Sequence, residues 1–431
     1  MSNTIIENEL TAELDYELFA KNLLEQSEGL KKEVVIKNVI DQAQIDQMLQ
    51  LSKDALLNLC DVKFTPFGFR VWRNSEKRAA SYVRENVYEN PPLAHEGLGD
   101  WVARTFPEGE TCMIMNNSEA FEDGIAILMS RVFQPVMEKI GIPMNGTHST
   151  YIFGNYTYTP LGIHHDDEGS FVINLHLGPA TKRMYTWDWD DYVSLGGTNN
   201  DRNVEKYLSK ATEHIIEPGD VFFMPWDKFH VGYNEGFSLS MTNWFDFHSA
   251  DRLVSELLTY LKKFMRVESE FFPVSVTEAT HKQEFEKVMD QFLFEGGRGD
   301  ISLKQNIMDA QEQKMLRYFS NGGYKSTPLA REKEAGFDKM DFSRFEGKKI
   351  RLIDPFKLIT KVKGDDIYLF IRGHVRKYKK GAALTALIEK LNSHKAIEVS
   401  ELLAMQPEDW LESSWRYLIS TFYNLRSVEI V

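Results

Sequence analysis

One stretch of the chain, residues 159–245, carries histidines and acids at a spacing that few folds accommodate. It begins with His164, His165 and Asp166, and it ends shortly after His230, which follows an apolar run and a proline. Side chains at positions i and i+2 of a strand point the same way, so His164 and Asp166 can face one cavity while His165 faces away. With His230 arriving from a distant strand, the spacing predicts a metal site in a small β-barrel.

The donor types of this predicted site indicate which metal it would hold. Two imidazoles and one carboxylate leave coordination positions open, which is typical of non-haem Fe(II) oxygenases. A structural zinc site would instead close all four positions, usually with thiolates. A His-x-Asp pair alone also occurs at ordinary strand ends. The prediction therefore depends on its context, a Pro-Gly-Asp turn at residues 218–220 followed by an apolar run and the distal histidine.

Several further motif positions resemble the JmjC-type cupins, which are 2-oxoglutarate-dependent oxygenases. The matching positions are Gly162, His164, Asp166, Phe171, Gly178, Lys182, Arg183, the turn at 218–220, His230 and Asn243. The pattern fits best the ribosomal-oxygenase branch, whose members hydroxylate ribosomal proteins. The loop between Asp166 and Lys182 is a few residues longer than this family usually shows, which leaves open whether Lys182 or Arg183 meets the cosubstrate.

The resemblance implies both a fold and a chemistry. The implied fold is α+β, with a double-stranded β-helix (jelly-roll) barrel, a helical domain and a C-terminal winged-helix domain. The implied activity is that of a hydroxylase with Fe(II) on His164, Asp166 and His230, and with 2-oxoglutarate and dioxygen as co-reactants. The positions implied to bind the cosubstrate are Lys182, Arg183, Thr159, Ser170 and Asn243. Lys182 is the expected partner of its distal carboxylate, because it occupies the first basic position, as in the family.

Two polar residues in the strand after the His-x-Asp motif also belong to the predicted site region. If that strand is regular, Asn174 and His176 lie on the same face as the metal ligands. They are candidates for contact with those ligands or with a substrate, or they are ordinary polar residues of the core.

The chain is long enough for more than one hydrophobic core, because 431 residues usually form two or three domains. We predict an N-terminal helix at 1–30, a JmjC-like cupin domain at 31–249, a helical domain with a linker at 250–345, and a winged-helix-like domain at 346–431. Within the helical domain, the apolar spacing predicts helices at 250–265, at 276–294 and from Ser302 to the glycines at 322–323.

Composition excludes several classes of protein. The chain is 42% hydrophobic and 26% charged, so extended disorder is not expected. Its only cysteines, Cys60 and Cys112, exclude a disulfide scaffold and a cysteine-based zinc site, and they suit a reducing cytoplasm. The sequence shows neither a signal-peptide core nor an apolar run long enough to span a membrane. We therefore expect a cytoplasmic protein that does not bind membranes.

The charge is distributed unevenly along the chain. A net charge of -14 argues against a general nucleic-acid binder. Residues 348–380 nevertheless contain eleven Lys or Arg and three Asp. This excess indicates contact with a polyanion or an acidic peptide, or only a strand edge protected by lysines. The helix predicted at 408–425 begins with Glu408, Asp409 and Glu412, whose carboxylates would repel phosphates, so we predict no sequence-specific DNA binding.

The sequence constrains the substrate and the oligomeric state of the protein less than it constrains the reaction. We expect a polypeptide substrate, either a ribosomal protein or another peptide such as a natural-product precursor. A small metabolite or a free amino acid is the alternative. An insertion at 187–210, rich in Asp, Trp and Gly, is either a flexible surface loop or an acidic lip for a cationic side chain. In position and length the helical region resembles the part through which ribosomal oxygenases dimerise, and this resemblance implies a homodimer; an intramolecular cap is the alternative.

Two other functional classes fit parts of the pattern. A metal-dependent cupin isomerase would need the three ligands, but it would not need the cations Lys182 and Arg183. A catalytically inactive JmjC-like binding scaffold would not need the intact set of His164, Asp166 and His230. Both observations favour the oxygenase.

Overall fold

The computed structural model describes residues 15–63, 69–261, 303–334, 337–338 and 340–431, and the backbone at 265–266 and 293–294. The first fourteen residues of the predicted N-terminal helix, and almost all of the helix predicted at 276–294, lie outside the described residues. No helix in these described ranges combines the length and the apolar character needed to cross a membrane.

Helices lie before, between and after the strands of the fold. Their bounds are α1 Tyr16–Gln26, α2 Gln42–Val62, α3 Ala80–Val83, α4 Leu98–Thr105, α5 Asp123–Ile140, α6 Trp189–Ser194, α7 Ala250–Leu261, α8 Leu303–Phe319, α9 Ala382–Leu391, α10 Val399–Leu403 and α11 Glu412–Asn424. Shorter helical turns occur at Arg84–Tyr88, Ser118–Ala120, Val204–Lys206, Leu208–Lys210, Arg331–Lys333 and Ser343–Phe345.

The strands pair in antiparallel fashion throughout. Their bounds are β1 Val34–Ile36, β2 Phe69–Arg73, β3 Glu76–Lys77, β4 Thr111–Asn116, β5 Thr147–Asn155, β6 Ser170–Pro179, β7 Lys182–Asp188, β8 Thr212–Ile216, β9 Val221–Met224, β10 Lys228–Asn234, β11 Phe237–Asp246, β12 Met265–Arg266, β13 Leu293–Phe294, β14 Lys349–Leu352, β15 Ile359–Lys363, β16 Asp366–Ile371, β17 His374–Lys379, β18 Ile397–Glu398 and β19 Val428–Ile430.

Two antiparallel sheets of the central region face each other. The larger sheet has the strand order β1-β9-β6-β11-β5-β4-β2-β3, and the smaller one has the order β10-β7-β8. Lys182 of the smaller sheet donates a hydrogen bond to Ser240 of the larger sheet across the space between them. The α+β architecture with antiparallel sheets is consistent with the predicted jelly-roll fold.

The alternation of side chains on β11 explains how one sheet can serve two environments. Leu239, Met241 and Phe245 belong to the main hydrophobic core, together with residues of α1, α2 and α5. The intervening residues, including Ser240 and Thr242, point between the two sheets, because successive strand side chains alternate between faces. A strand that is apolar on one face and polar on the other therefore packs against helices while lining a polar barrel interior.

The C-terminal residues form a second hydrophobic core around β14–β19 and α9–α11. The predicted helix at 408–425 begins later than expected, at Glu412, so only one of the three acids lies in its first turn. Trp415, Leu418 and Phe422 are buried as the spacing predicted, but Leu411 precedes the helix and is 74% exposed. The domain boundaries at 249 and 345 stay predictions.

Ion pairs join this C-terminal region to the barrel region. Asp123, the first residue of α5, contacts Arg372 Nη1 through Oδ1 at 3.4 Å and Arg426 Nη1 through Oδ2 at 2.8 Å. Burial would raise the pKa of Asp123, but the charges of Arg372 and Arg426 hold this pKa below its usual value. Arg372 is fully buried and also donates to Asn321. Asp123 thus pairs with two largely buried guanidinium groups, and Arg426 also pairs with Glu334.

We predict that Asp123→Asn lowers the free energy of unfolding by about 3–5 kcal/mol, because the fully buried Arg372 loses its counter-charge and Arg426 is left with Glu334, while the side-chain volume is kept. Urea denaturation of the full chain measures this loss. The control is Asp46→Asn at an exposed position of α2, which should stay within about 0.5 kcal/mol of the parent protein. Equal effects of the two substitutions would contradict the role given to Asp123.

Candidate metal centre

The structure brings together His164, Asp166 and His230, the three side chains that the sequence assigned to a metal. Their ligand atoms all lie within 4.8 Å of one another. Backbone pairing fixes this arrangement, because His164 N donates to His230 O at 3.0 Å and His230 N donates to His164 O at 2.7 Å. The two imidazole centroids are 4.3 Å apart. Two imidazoles and one carboxylate on one side of a shared point suit Fe(II), with positions left for other ligands.

Backbone carbonyls set the orientation of both imidazole rings. His164 Nδ1 lies 2.9 Å from Gly162 O, and His230 Nδ1 lies 3.3 Å from Lys228 O. A carbonyl can only accept, so each Nδ1 is the protonated nitrogen of a neutral ring and each Nε2 keeps its lone pair. This arrangement resembles the outer hydrogen bonds that orient histidines bound to metals.

The ionisation states of the cluster also suit a metal. Burial lowers the pKa of His164 and of His230 to about 4, so both rings are neutral at pH 7. Burial raises the pKa of Asp166 to about 6, against the opposing effect of His164, and the carboxylate remains largely ionised at pH 7. Neutral imidazoles and an ionised carboxylate are the forms that bind a divalent cation.

His165, between the two neighbouring ligands, points away from the cluster. Its ring lies 4.6 Å from the ring of Trp189 and 5.2 Å from that of Phe229, on the outer side of the smaller sheet. The alternation expected from the sequence therefore holds in this short segment.

We predict that His164→Ala, Asp166→Ala and His230→Ala each weaken binding of Fe(II) or its substitute Co(II) by at least about 100-fold, because each removes one of three ligands. His165→Ala is the matched control and should change the metal dissociation constant by less than about threefold. Calorimetric titration of the metal-free protein under anaerobic conditions measures both. Loss of binding in His165→Ala with retention in His164→Ala would move the ligand assignment by one residue.

A buried lysine lies in the same barrel interior. Lys182 is 1% exposed, and its Nζ donates to Ser240 Oγ at 3.2 Å. Burial lowers the pKa of Lys182 to about 8, so the ammonium form still predominates at pH 7. Within the described ranges, no carboxylate lies within ion-pair distance of this ammonium group. An unpaired buried cation is unfavourable by several kcal/mol, which makes this position suited to an anionic ligand.

A chain of hydrogen bonds holds Lys182 in place. His176 Nε2 lies 2.7 Å from Ala180 O, so this nitrogen donates, and Nδ1 accepts from Ser240 Oγ at 3.1 Å. The Ser240 oxygen in turn accepts from Lys182. Burial lowers the pKa of His176 to about 4, which keeps the ring neutral and this direction of donation intact. His176, a candidate from the sequence, thus acts on Lys182 through Ser240 rather than on the metal ligands.

Arg183 lies on the other face of β7. Its Nη1 pairs with Glu213 Oε1 at 2.6 Å, and both side chains are well exposed. The two cations that the sequence could not separate are therefore distinguished by strand alternation, with Lys182 inside and Arg183 outside.

Thr159 lies beside Lys182. Its Oγ1 accepts from Gly232 N at 3.2 Å. A β carbon placed on Gly232 would lie 3.2 Å from both the Thr159 methyl group and Lys182 Cε. The glycine therefore leaves space next to these two side chains, and Thr159 is within the region assigned to the cosubstrate.

Two other predicted cosubstrate contacts do not lie near Lys182. Asn243 points to the opposite face of β11, where its Oδ1 accepts from Tyr324 at 2.8 Å and from Ser149 at 3.4 Å. Thr242 occupies the inward position, so strand alternation places the Asn243 side chain away from Lys182, and its contact with the cosubstrate stays a prediction. Ser170 faces inward but donates to Asp246. It lies six residues from His176 on β6, or about 20 Å at the usual rise per residue.

Sequence reasoning missed two polar residues of the barrel interior, Asn234 and Tyr156, and left the role of Asn174 open. Asn234 and Tyr156 are buried, and neither completes a hydrogen bond of normal geometry through its side chain. Asn174 donates to Thr242 at 2.9 Å, while its Oδ1 has no partner. The alternation of polar with apolar residues at 173–177 of β6 and at 238–242 of β11 is the signal that identifies such an interior, once the pairing of the strands is known.

Comparison with known proteins gives structural likeness only. No family model matches the sequence, and no curated protein matches it. The chain is similar to a solved structure of E. coli YcfD, with 16% identity and a TM-score of 0.46 over 95% of this chain and 98% of the other. A structure of YcfD described as a ribosomal oxygenase from Escherichia coli, in complex with cobalt and 2-oxoglutarate, gives 14% identity and a TM-score of 0.45, with the same coverage.

A further similar structure is SnoK, described as a non-haem α-ketoglutarate-dependent carbocyclase from nogalamycin biosynthesis. The identity is 9% and the TM-score is 0.33, over 55% of this chain and 92% of the other. At such low identities and scores, the activity of this chain has to be judged from its own residues.

Proposed function

We propose that the protein is an Fe(II)- and 2-oxoglutarate-dependent oxygenase that hydroxylates a side chain of a polypeptide. The observation that carries this proposal is the buried Lys182 ammonium group, which lacks a carboxylate partner and shares the barrel interior with His164, Asp166 and His230. A 2-oxo dicarboxylate would satisfy both the unpaired ammonium group and the metal site. One carboxylate can pair with Lys182 while the 2-oxo acid end completes the metal coordination.

The roles of the protein groups follow from their positions. His164, Asp166 and His230 would hold the iron, which when bound supplies the activation of dioxygen. In the overall reaction, 2-oxoglutarate is oxidised to succinate and carbon dioxide, and the second oxygen atom enters a substrate C–H bond. Lys182 binds the distal carboxylate, with Ser240 and His176 fixing the direction of the ammonium group. The inner residues Met184, Phe222 and Met224 form an apolar cluster that limits access of water.

This proposal predicts unequal effects of the two adjacent cations on cosubstrate binding. Lys182→Met should raise the dissociation constant for 2-oxoglutarate by about 100-fold or more, because the buried carboxylate loses its counter-charge. Arg183→Met should change it by less than about threefold, since an exposed pair contributes little. The visible absorption of anaerobic protein with Fe(II) and 2-oxoglutarate reports the chelated complex. A strong effect of Arg183→Met with none of Lys182→Met would contradict the assignment.

The rim of the barrel supports a polypeptide substrate. Trp189, at the start of α6, contacts His165 beside the metal cluster and is 40% exposed. Glu168, Asp190 and Asp191 are exposed on neighbouring segments. An exposed aromatic ring and several carboxylates suit a cationic segment of a ribosomal protein or of another peptide.

Mass spectrometry of cell extract incubated with the protein, Fe(II) and 2-oxoglutarate tests the substrate class. The proposal predicts peptides that gain one oxygen atom, and predicts that Asp166→Ala protein leaves them unchanged. Gain of oxygen only in small molecules would favour the alternative, a hydroxylase of a metabolite or a free amino acid. Turnover of neither class would favour the inactive binding scaffold.

The proposal also covers the assembly of the protein and its location in the cell. Val254 and Leu258 on α7, and Met308 on α8, are exposed apolar residues of the helical region. They support a homodimer in which this region forms the interface. A cytoplasmic location and a winged-helix class for the C-terminal region belong to the same proposal.

We predict that the protein does not select DNA sequences. In the C-terminal region, α11 begins with Glu412 and commits Trp415 and Leu418 to the core, so it offers no cationic face for a groove. Lys377 and Lys379 pair with Asp366, which reduces the free positive charge of β17. Fluorescence titration of the full chain against specific and random duplexes at physiological salt should show weak and equal binding. Submicromolar, sequence-selective binding would contradict this prediction.

A further inference from the structure

The insertion between β7 and β8 has a defined structure of its own. Tyr192 and Tyr207 are buried with ring centroids 5.0 Å apart, and Tyr192 lies 4.4 Å from Phe229 of β10. Trp187 Nε1 donates to Tyr207 O at 3.1 Å. The insertion therefore packs against the outer face of the smaller sheet, as a surface segment between two barrel strands, and its role as an acidic lip stays a prediction.

This insertion pairs directly with the segment that carries His164. Ile163 N donates to Asp201 O at 2.7 Å, and Asp201 N donates to Ile163 O at 3.2 Å. The next residue, His164, exchanges the same two hydrogen bonds with His230 on the other edge. The short ligand-bearing segment is thus held between Asp201 on one side and the third metal ligand on the other.

Gly162 shows how closely the insertion approaches the ligand segment. Its φ is +76°, and a β carbon at this position would lie 2.5 Å from Asp201 O. Only glycine fits both the backbone angle and this approach. The carbonyl of Gly162 accepts from His164 Nδ1 at 2.9 Å, so it sets the rotation of the ligand ring. The position of this carbonyl therefore depends on where Asp201 lies.

Asp201 is itself fixed by its side chain. Its Oδ2 accepts from the Tyr207 hydroxyl at 2.9 Å, and its Oδ1 accepts from Asn203 N at 2.9 Å. The Tyr207 ring is buried, so its hydroxyl has little freedom to move. One continuous path runs from Tyr207 through Asp201, Ile163 and Gly162 to the imidazole of His164.

We propose that Asp201 and Tyr207 are positioning residues for the metal ligand His164, so that the insertion sets the affinity of the metal centre. Asp201 and Tyr207 themselves contact none of the three metal ligands through their side chains, and they act by fixing the Gly162 carbonyl. Groups that orient metal-bound histidines typically change metal affinity by about 10–100-fold when removed. This inference rests on the proposed metal site at His164, Asp166 and His230.

A pair of matched substitutions separates positioning from packing. Tyr207→Phe removes the hydroxyl that holds Asp201, whereas Tyr192→Phe removes a hydroxyl that donates to Thr198 O at 3.2 Å in the same small core. Titration of the metal-free full chain with Co(II), followed by its visible absorption, gives the dissociation constant. Thermal unfolding of the metal-free proteins gives the contribution of each hydroxyl to stability.

We expect Tyr207→Phe to raise the Co(II) dissociation constant about tenfold and Tyr192→Phe to leave it unchanged, with similar small losses in unfolding temperature. Asp201→Ala loses both side-chain hydrogen bonds and should raise the constant further, which keeps the inference testable if Tyr207→Phe folds poorly. Equal Co(II) affinity of the Tyr207→Phe, Asp201→Ala and parent proteins would overturn the inference while leaving the metal site intact. Absence of Co(II) binding to the parent protein would overturn the proposed site itself.

Discussion

The proposed function depends above all on the buried ammonium group of Lys182. A cation placed between two sheets is unfavourable unless an anion joins it, and within the described part of the chain only Ser240 hydrogen-bonds to it. Its pKa falls to about 8 rather than to a value that would leave it neutral at pH 7. The fold therefore maintains a positive charge beside a cluster of metal ligands, and a metal-chelating dicarboxylate is the ligand that suits both groups.

The surrounding structure holds Lys182 and the cluster of metal ligands at a fixed separation. The hydrogen bonds from Ser240 to His176, and from His176 to Ala180, orient Lys182 from the larger sheet. On the opposite side, the pairing of His164 with His230 and of Ile163 with Asp201 fixes the ligand segment. The first device uses a backbone carbonyl and neutral side chains, and the second pairs the ligand segment through its backbone, so neither directs a carboxylate at the metal or at the cosubstrate.

The sequence allowed prediction of the groups whose position depends on local spacing alone. The facing of His164 and Asp166, with His165 outside, follows from the two-residue period of a strand. The family resemblance favoured Lys182 over Arg183, but local spacing alone left the choice open, because it depends on how β7 pairs with β10. The facing of Asn243 depends on the same kind of information, and the structure turns its neighbour Thr242 inward. The contact between Asp201 and Ile163 is a long-range pairing that no local pattern encodes.

The exchange of a proton on cosubstrate binding tests the role of Lys182 most directly. At pH 8 the free lysine is about half protonated, and pairing with a carboxylate raises its pKa, so binding should take up about half a proton. Calorimetric titration of 2-oxoglutarate into Co(II)-loaded protein, in buffers with different ionisation enthalpies, measures this number. Proton uptake is expected at pH 8, and it should fall toward zero at pH 6.5, where Lys182 is already charged. Binding without proton uptake at pH 8, or with equal uptake at both pH values, would contradict this expectation.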